Sequence, residues 1–208
     1  METISIHRPK IVVIGSCNTD MVVKANRLPV PGETILGGTF YMNPGGKGAN
    51  QAIAAARLGA EVTFISKIGY DLFGLQALEI YRSEKINTEY IFTDQKSPSG
   101  VALISVDSFG ENSIIVAPGA SRSLSIEDIN KAEEKIKEAD IILMQLEIPI
   151  DTVEYAATIA CKYGKKVILN PAPASSLSNS FLMNVHTILP NRIEAEMLSG
   201  IKVMNIES

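Results

Sequence analysis

The sequence predicts an α/β fold: a doubly wound, mostly parallel, Rossmann-like sheet with helices on both faces and a small β-sheet lid. Three observations carry this. Short runs of β-branched and aliphatic residues recur along the chain, the pattern of strands buried on both faces. Segments with helical period lie between them, as a parallel sheet with crossover helices requires. Two stretches break this rhythm, alternating in the manner of short strands separated by turn residues.

Lys10-Ile11-Val12-Val13-Ile14-Gly15 opens the series, and Glu61-Val62-Thr63-Phe64-Ile65-Ser66 follows it. Asp140-Ile141-Ile142-Leu143-Met144-Gln145-Leu146, Lys166-Val167-Ile168-Leu169 and Thr187-Ile188-Leu189 complete five core strands. Helices are expected over residues 47–58, rich in Ala and closed by Gly59, and over 72–83. Two more are expected over 125–139, behind an N-cap, and over 151–163, closed by Gly164. Residues 21–41 and 90–116 are the exceptions and read as hairpins of a separate sheet, Val101-Ala102-Leu103-Ile104-Ser105-Val106 among them. Each hairpin leaves and re-enters the α/β core, so the small sheet should sit over it as a lid. Lid strands are expected from about 18–44 and 90–117 of a single domain, 1–208. Open lid edges invite a partner chain.

Composition excludes several function classes. The 208 residues are 46% hydrophobic and 20% charged, ordinary for a globular protein with a sizeable core. Nineteen Lys and Arg against 23 Asp and Glu leave a net charge of −4 with no basic cluster, which disfavours nucleic acid and anionic membrane surfaces as partners. Cys17 and Cys161 lack the spacing of a disulfide framework or zinc site and are expected as reduced thiols in the cytoplasm. Residues 1–10 lack the apolar core of a signal peptide, and no later run is long enough to span a bilayer. With no Trp and few aromatics, a sugar site would have to rely on hydrogen bonds. His7 and His186 have no metal-ligand spacing and are expected to be structural or solvent-facing.

Four segments carry chemistry. Asn43-Pro44-Gly45-Gly46-Lys47-Gly48-Ala49-Asn50 joins a lid strand to the Ala-rich helix, where glycines let backbone approach a ligand and free N–H groups favour electronegative atoms. It is not a P-loop: Gly48 stands where Ser or Thr should follow the lysine, and no core strand precedes it. In Gly15-Ser16-Cys17-Asn18-Thr19-Asp20, at the ligand-binding end of the first strand, Asn18 and Asp20 are two apart and point to one side if extended. An Asx turn leaving the strand would also account for this segment. Glu147 follows an otherwise apolar strand, where a carboxylate must be solvated in a cleft or hydrogen-bonded. Asn191 is a natural N-cap for the last helix, with Glu194 completing a capping box.

In this order, together with Pro31-Gly32-Glu33-Thr34, Gly100-Val101-Ala102-Leu103-Ile104 and Asn170-Pro171-Ala172-Pro173, these segments resemble the ribokinase branch of the phosphofructokinase-B-type family of sugar kinases. The resemblance implies ATP-dependent phosphorylation of D-ribose at the 5-hydroxyl, with Mg²⁺, a monovalent cation such as K⁺, and a homodimer formed through the lid. It implies sugar binding by Asn18, Asp20, Gly45, Gly46, Lys47, Asn50 and Glu147, with Ile114 reaching from the lid. It also implies that Asn191 and Glu194 serve the nucleotide side, Glu194 placing Mg²⁺ through water. The family's glycine-rich anion hole and catalytic aspartate lie further towards the C-terminus, so the base is expected beyond Ser208 and none within the sequence. The C-terminal part of the fold is then expected to be missing, leaving an exposed sheet edge beside uncovered apolar surface and a chain inactive alone. A non-catalytic sugar-binding module, or a kinase for deoxyribose or a fructose phosphate, is the alternative.

Overall fold

The computed structural model describes residues 8–205. A large sheet is built from β1 (Lys10–Ile14), β4 (Glu61–Gly69), β5 (Ile91–Asp94), β8 (Ile141–Met144), β9 (Lys166–Leu169) and β10 (Thr187–Ile188), in the order β10-β9-β8-β1-β4-β5, every pair parallel. The second sheet contains β2 (Asn18–Lys24), β3 (Thr39–Gly45), β6 (Gly100–Val106) and β7 (Asn112–Ala117), in the order β3-β2-β6-β7. Its two antiparallel hairpins lie side by side through a parallel β2–β6 pair, which makes this sheet mixed.

Alternation along β1 sends side chains to two cores. Val13 packs with Val62 and Phe64 under α1 (Lys47–Arg57) and α2 (Leu72–Ser83), whose inward residues include Ala49, Ala52 and Tyr81. Val12 and Ile14 face the opposite core. That core is covered by α3 (Ile126–Lys131), α4 (Glu133–Glu138), α5 (Ile150–Lys162) and α6 (Asn179–Leu182). A last helix, α7 (Arg192–Ser199), follows β10 and ends at Gly200 in the left-handed conformation. On the α1 side, Leu143 and Ile168 continue the sheet surface into an open apolar groove of about 390 Å³, bounded by Leu58 and Leu189. Strand β10 is an outer edge of the large sheet.

Three expectations are corrected. Residues 90–117 do not all belong to the small sheet: Ile91–Asp94 pairs in parallel with Ser66–Gly69 of the large one. Ile91 and Phe92 pack against opposite cores, which is how a doubly covered strand behaves. The helix expected over 125–139 is broken at Ala132, whose φ of −99° and ψ of 5° leave α-helical geometry. Finally, β8 ends at Met144, so Gln145, Leu146 and Glu147 lie beyond its ladder.

One close approach fixes α1 against β1. A Cβ at Gly48 would lie 2.7 Å from both the Gly15 carbonyl carbon and the Ser16 oxygen, backbone atoms that cannot swing aside. In an ordinary helix interior Gly→Ala gains about 1 kcal/mol. Here Gly48→Ala is expected to lower stability by about 1–3 kcal/mol, through overpacking, in a urea unfolding midpoint.

Candidate functional site

The carboxyl ends of β1 and β8 and the start of α1 meet at one carboxylate. Past Ile14, the Gly15 N–H donates to the Ile65 carbonyl at 3.1 Å and the Ser66 hydroxyl donates to the Gly15 carbonyl at 2.7 Å. The chain then turns into β2. Gly46, the N-cap of α1, has φ 89°, and a side chain there would strike the Cys17 and Asn18 backbone. It therefore cannot cap the helix with its own side chain. Glu147 does so from 100 residues away: its Oε2 accepts from the Lys47 N–H at 2.9 Å and from the Ser16 hydroxyl at 2.5 Å. Lys47 Nζ lies 3.6 Å from Oε1 of the same carboxylate.

Asp20 joins this group from the lid strand. It and Asn18 share a face of β2, and Asp20 sits where a side chain on Gly45 would otherwise be: a Cβ there would come within 2.0 Å of its Oδ1. Burial first, and then the Glu147 charge, push the Asp20 carboxyl above the usual aspartate range. Asn18 is buried, and its Oδ1 has no hydrogen-bond partner among the described residues. An unpaired buried acceptor of this kind costs about 1–3 kcal/mol. Acceptors at Asn18, Asp20 and Glu147 with a donor at Lys47 form a set matched to hydroxyl groups. The helix start, already occupied by Glu147, offers little to an anion.

The remaining candidates are placed differently. Asn50 is exposed one turn into α1. Ile114, on β7, shares the Asp20 face two strands away and is 51% exposed. Asn191 and Glu194 form a complete capping box on α7: Asn191 Oδ1 accepts from the Glu194 N–H at 2.9 Å, while both Glu194 oxygens accept from Asn191 at 2.8 Å. They share no hydrogen bond or ion pair with the Asp20, Lys47 and Glu147 group among the described residues. No group of three or more His, Cys, Asp or Glu side chains there could hold a metal ion by itself. His186 is exposed beside Thr187, and His7 lies outside the described residues. Cys17 and Cys161 are free thiols, and burial lifts the Cys17 thiol to about 11, too high for a reactive thiolate. No helix among the described residues is long and apolar enough to cross a membrane.

Two residues of the site escape a reading of the sequence. Ser16 reaches Glu147, and the fully buried Gln145 donates through Nε2 to Gln51 Oε1, tying α1 to the end of β8. The available signal is their position at strand ends, but which strands are neighbours is not written locally.

Residues 8–208 match the family model described as pfkB family carbohydrate kinase. Among curated relatives, the chain is 45% identical over 201 residues to a ribokinase of Haemophilus influenzae, covering 97% of this chain and 66% of that one. It is 40% identical over 194 residues to a deoxyribokinase of Salmonella typhi, covering 93% of this chain and 63% of the relative. The structure of Arabidopsis thaliana ribokinase complexed with ribose and ATP superposes with a TM-score of 0.84 at 32% identity, covering 97% of this chain and 66% of that one. The chain thus spans just under two thirds of the length of these relatives. The large parallel sheet with its small mixed partner is the fold of solved ribokinases.

The two causes acting on Asp20 separate by mutation. Glu147→Gln removes the lesser one, so an NMR titration should show the Asp20 pKa falling but remaining above its ordinary value. The folded chain holds this proton more tightly than the unfolded chain. Stability carried by Asp20 is therefore greatest at low pH and declines as pH rises through the raised pKa. Asp20→Asn should abolish that decline in melting temperature, and an unchanged pH dependence would contradict the assignment.

Proposed function

The chain belongs to the pfkB family of carbohydrate kinases, and we propose that it forms the sugar side of an ATP-dependent kinase acting on the 5-hydroxyl of D-ribose. The observation that carries this reading is the pairing of Asp20 with a Glu147-capped helix start. Two carboxylates and a single lysine favour a neutral polyol over a phosphorylated sugar on electrostatic grounds. This weighs against a fructose phosphate.

Ribose hydroxyls donate to Asp20 and Glu147 Oε1, with Asn18 beside Asp20 on the same face of β2, while Lys47 Nζ and Asn50 donate to sugar oxygens. Gly45 makes room for the Asp20 carboxylate and Gly46 lets the loop pass close to Cys17 and Asn18, so both serve the site through the residues they seat, and Ile114 covers the ring from the lid. We assign Asn191 and Glu194 to the nucleotide side. ATP supplies the phosphoryl group, and Mg²⁺ and K⁺ would neutralise charge on its phosphates. The two hydrogen bonds from Asn191 fix the orientation of the Glu194 carboxylate, to which we assign a water-mediated contact with Mg²⁺. The general base and anion hole are assigned to residues outside these 208. The chain alone is therefore expected to bind ribose without turning over ATP.

A second copy is the partner we assign to the lid. Its outer face presents Phe40, Met42, Leu103 and Ile115, each at least 45% exposed, on a sheet open at β3 and β7. An apolar, edge-bearing sheet of this kind suits an isologous dimer interface. The two free thiols fit a reducing, cytoplasmic setting. The deoxyribokinase relative keeps 2-deoxyribose in contention.

Calorimetric titration with ribose and with 2-deoxyribose tests the sugar reading, which fails if the chain binds neither. Asp20→Ala should abolish binding with the fold intact by circular dichroism. Wild-type affinity should weaken as pH falls through the raised Asp20 pKa, because the accepting carboxylate is then protonated. Leu103→Lys should convert a sedimenting dimer to monomer, and an unchanged sedimentation coefficient would exclude the lid as the interface.

A further inference from the structure

We propose that Ser16 is a positioning residue for sugar binding, acting through Glu147; the inference rests on the sugar reading of this site. Ser16 is 1% exposed, so its hydroxyl cannot reach a ligand in the cleft. The partner found for that hydroxyl is Glu147 Oε2, at 2.5 Å. The same oxygen accepts the Lys47 N–H, so two donors, one from the end of β1 and one from the start of α1, converge on a single atom.

This convergence fixes the carboxylate plane. With Oε2 held twice, Oε1 is left as the oxygen that turns to the cleft, and it stands 3.6 Å from Lys47 Nζ, beyond a normal direct hydrogen bond. Oε1 and Nζ are thereby presented as a separate acceptor and donor. A sugar hydroxyl can bridge them, donating to Oε1 and accepting from Nζ. Without the Ser16 donor, Oε2 keeps only one restraint, and the carboxylate can rotate to close on Nζ as a direct ion pair. Both groups would then be withdrawn from the ligand. The serine backbone contributes as well, its carbonyl accepting the Ala49 N–H at 3.0 Å, but that contact survives loss of the side chain.

Ser16→Ala removes one buried oxygen and adds no bulk, so folding is expected to persist. Two measurements test the inference. In the sugar-free chain, amide exchange at Lys47 should quicken on the order of tenfold in Ser16→Ala, because its acceptor is no longer held. An unchanged rate overturns the proposal whether or not the chain binds ribose. In ribose calorimetry, Ser16→Ala should weaken affinity on the order of tenfold. The Ser16→Ala, Glu147→Ala double variant should bind no more weakly than Glu147→Ala alone. Additive losses, or an affinity untouched in Ser16→Ala, refute action through Glu147. If the wild-type chain binds no sugar, the kinase reading fails while the Lys47 exchange rate still decides the role of Ser16 in holding the carboxylate.

Discussion

The arrangement of the cleft depends on a carboxylate capping a helix that cannot cap itself. Gly46 is required by the crowding of Cys17 and Asn18, and it leaves α1 without a side-chain cap. Glu147 supplies that cap from the end of β8, and Ser16 joins it from the end of β1. A charge-assisted hydrogen bond contributes about 1.5–3 kcal/mol, and an exposed ion pair about 0–1 kcal/mol. The Glu147 contacts therefore outweigh surface pairs such as Arg57 with Glu84, whose arginine side chain is 67% exposed. A contact of this strength also fixes geometry, because it joins two neighbouring strands to the helix that crosses them.

The same carboxylate sets the electrostatic character of the site. A glycine-rich helix start with a lysine is a natural anion cradle, yet here its first N–H is taken by Glu147 Oε2 and its lysine Nζ lies 3.6 Å from Oε1 of the same carboxylate. Asp20, partly buried beside that charge, has its ionised form disfavoured on both counts. Asp20 accepts no hydrogen bond among the described residues, and Glu147 Oε1 has only the lysine at 3.6 Å. Uncharged hydroxyls supply donors without adding negative charge, whereas a phosphate would add repulsion.

Local chemistry was legible in the sequence, and long-range convergence was not. The capping box of Asn191 and Glu194 joins residues three positions apart, and the structure realises it in full. Asn18 and Asp20 share a face because two-residue spacing on a strand has only one outcome. Glu147 stood out as a carboxylate after an apolar strand, but its partners Ser16 and Lys47 lie 131 and 100 residues away. Nothing local announces that β1 and β8 are adjacent. The strand Ile91–Asp94 was hidden for a related reason: a four-residue strand with only two apolar residues, beside turn residues, fits either sheet, and only the exposed edge of β4 decides where it pairs. The break at Ala132 follows from turn-like bonding that helical periodicity cannot register, since the Ala132 N–H donates to the Ile129 carbonyl at 3.0 Å.

The lid and the core do not contribute to the site in the same way. Lys47 and Glu147 belong to the core, while Asn18 and Asp20 stand at the root of β2, where the lid leaves it. That root is pinned. Gly45 and Gly100 flank Asn18 in the ladder, and beside Gly100 the Ser99 N–H and hydroxyl both donate to the Asp71 carboxylate at 2.7 Å. Asp71 in turn caps α2 through the Gly74 N–H at 2.9 Å. Ile114 lies farther out, on an edge strand whose residues are all exposed and whose ladder partner is β6. Bending of the small sheet therefore meets most resistance at its root and least at its outer strand. The polar residues proposed to orient a sugar thus stand at the pinned root of the small sheet, and Ile114, proposed to cover it, stands on the strand with the fewest restraints.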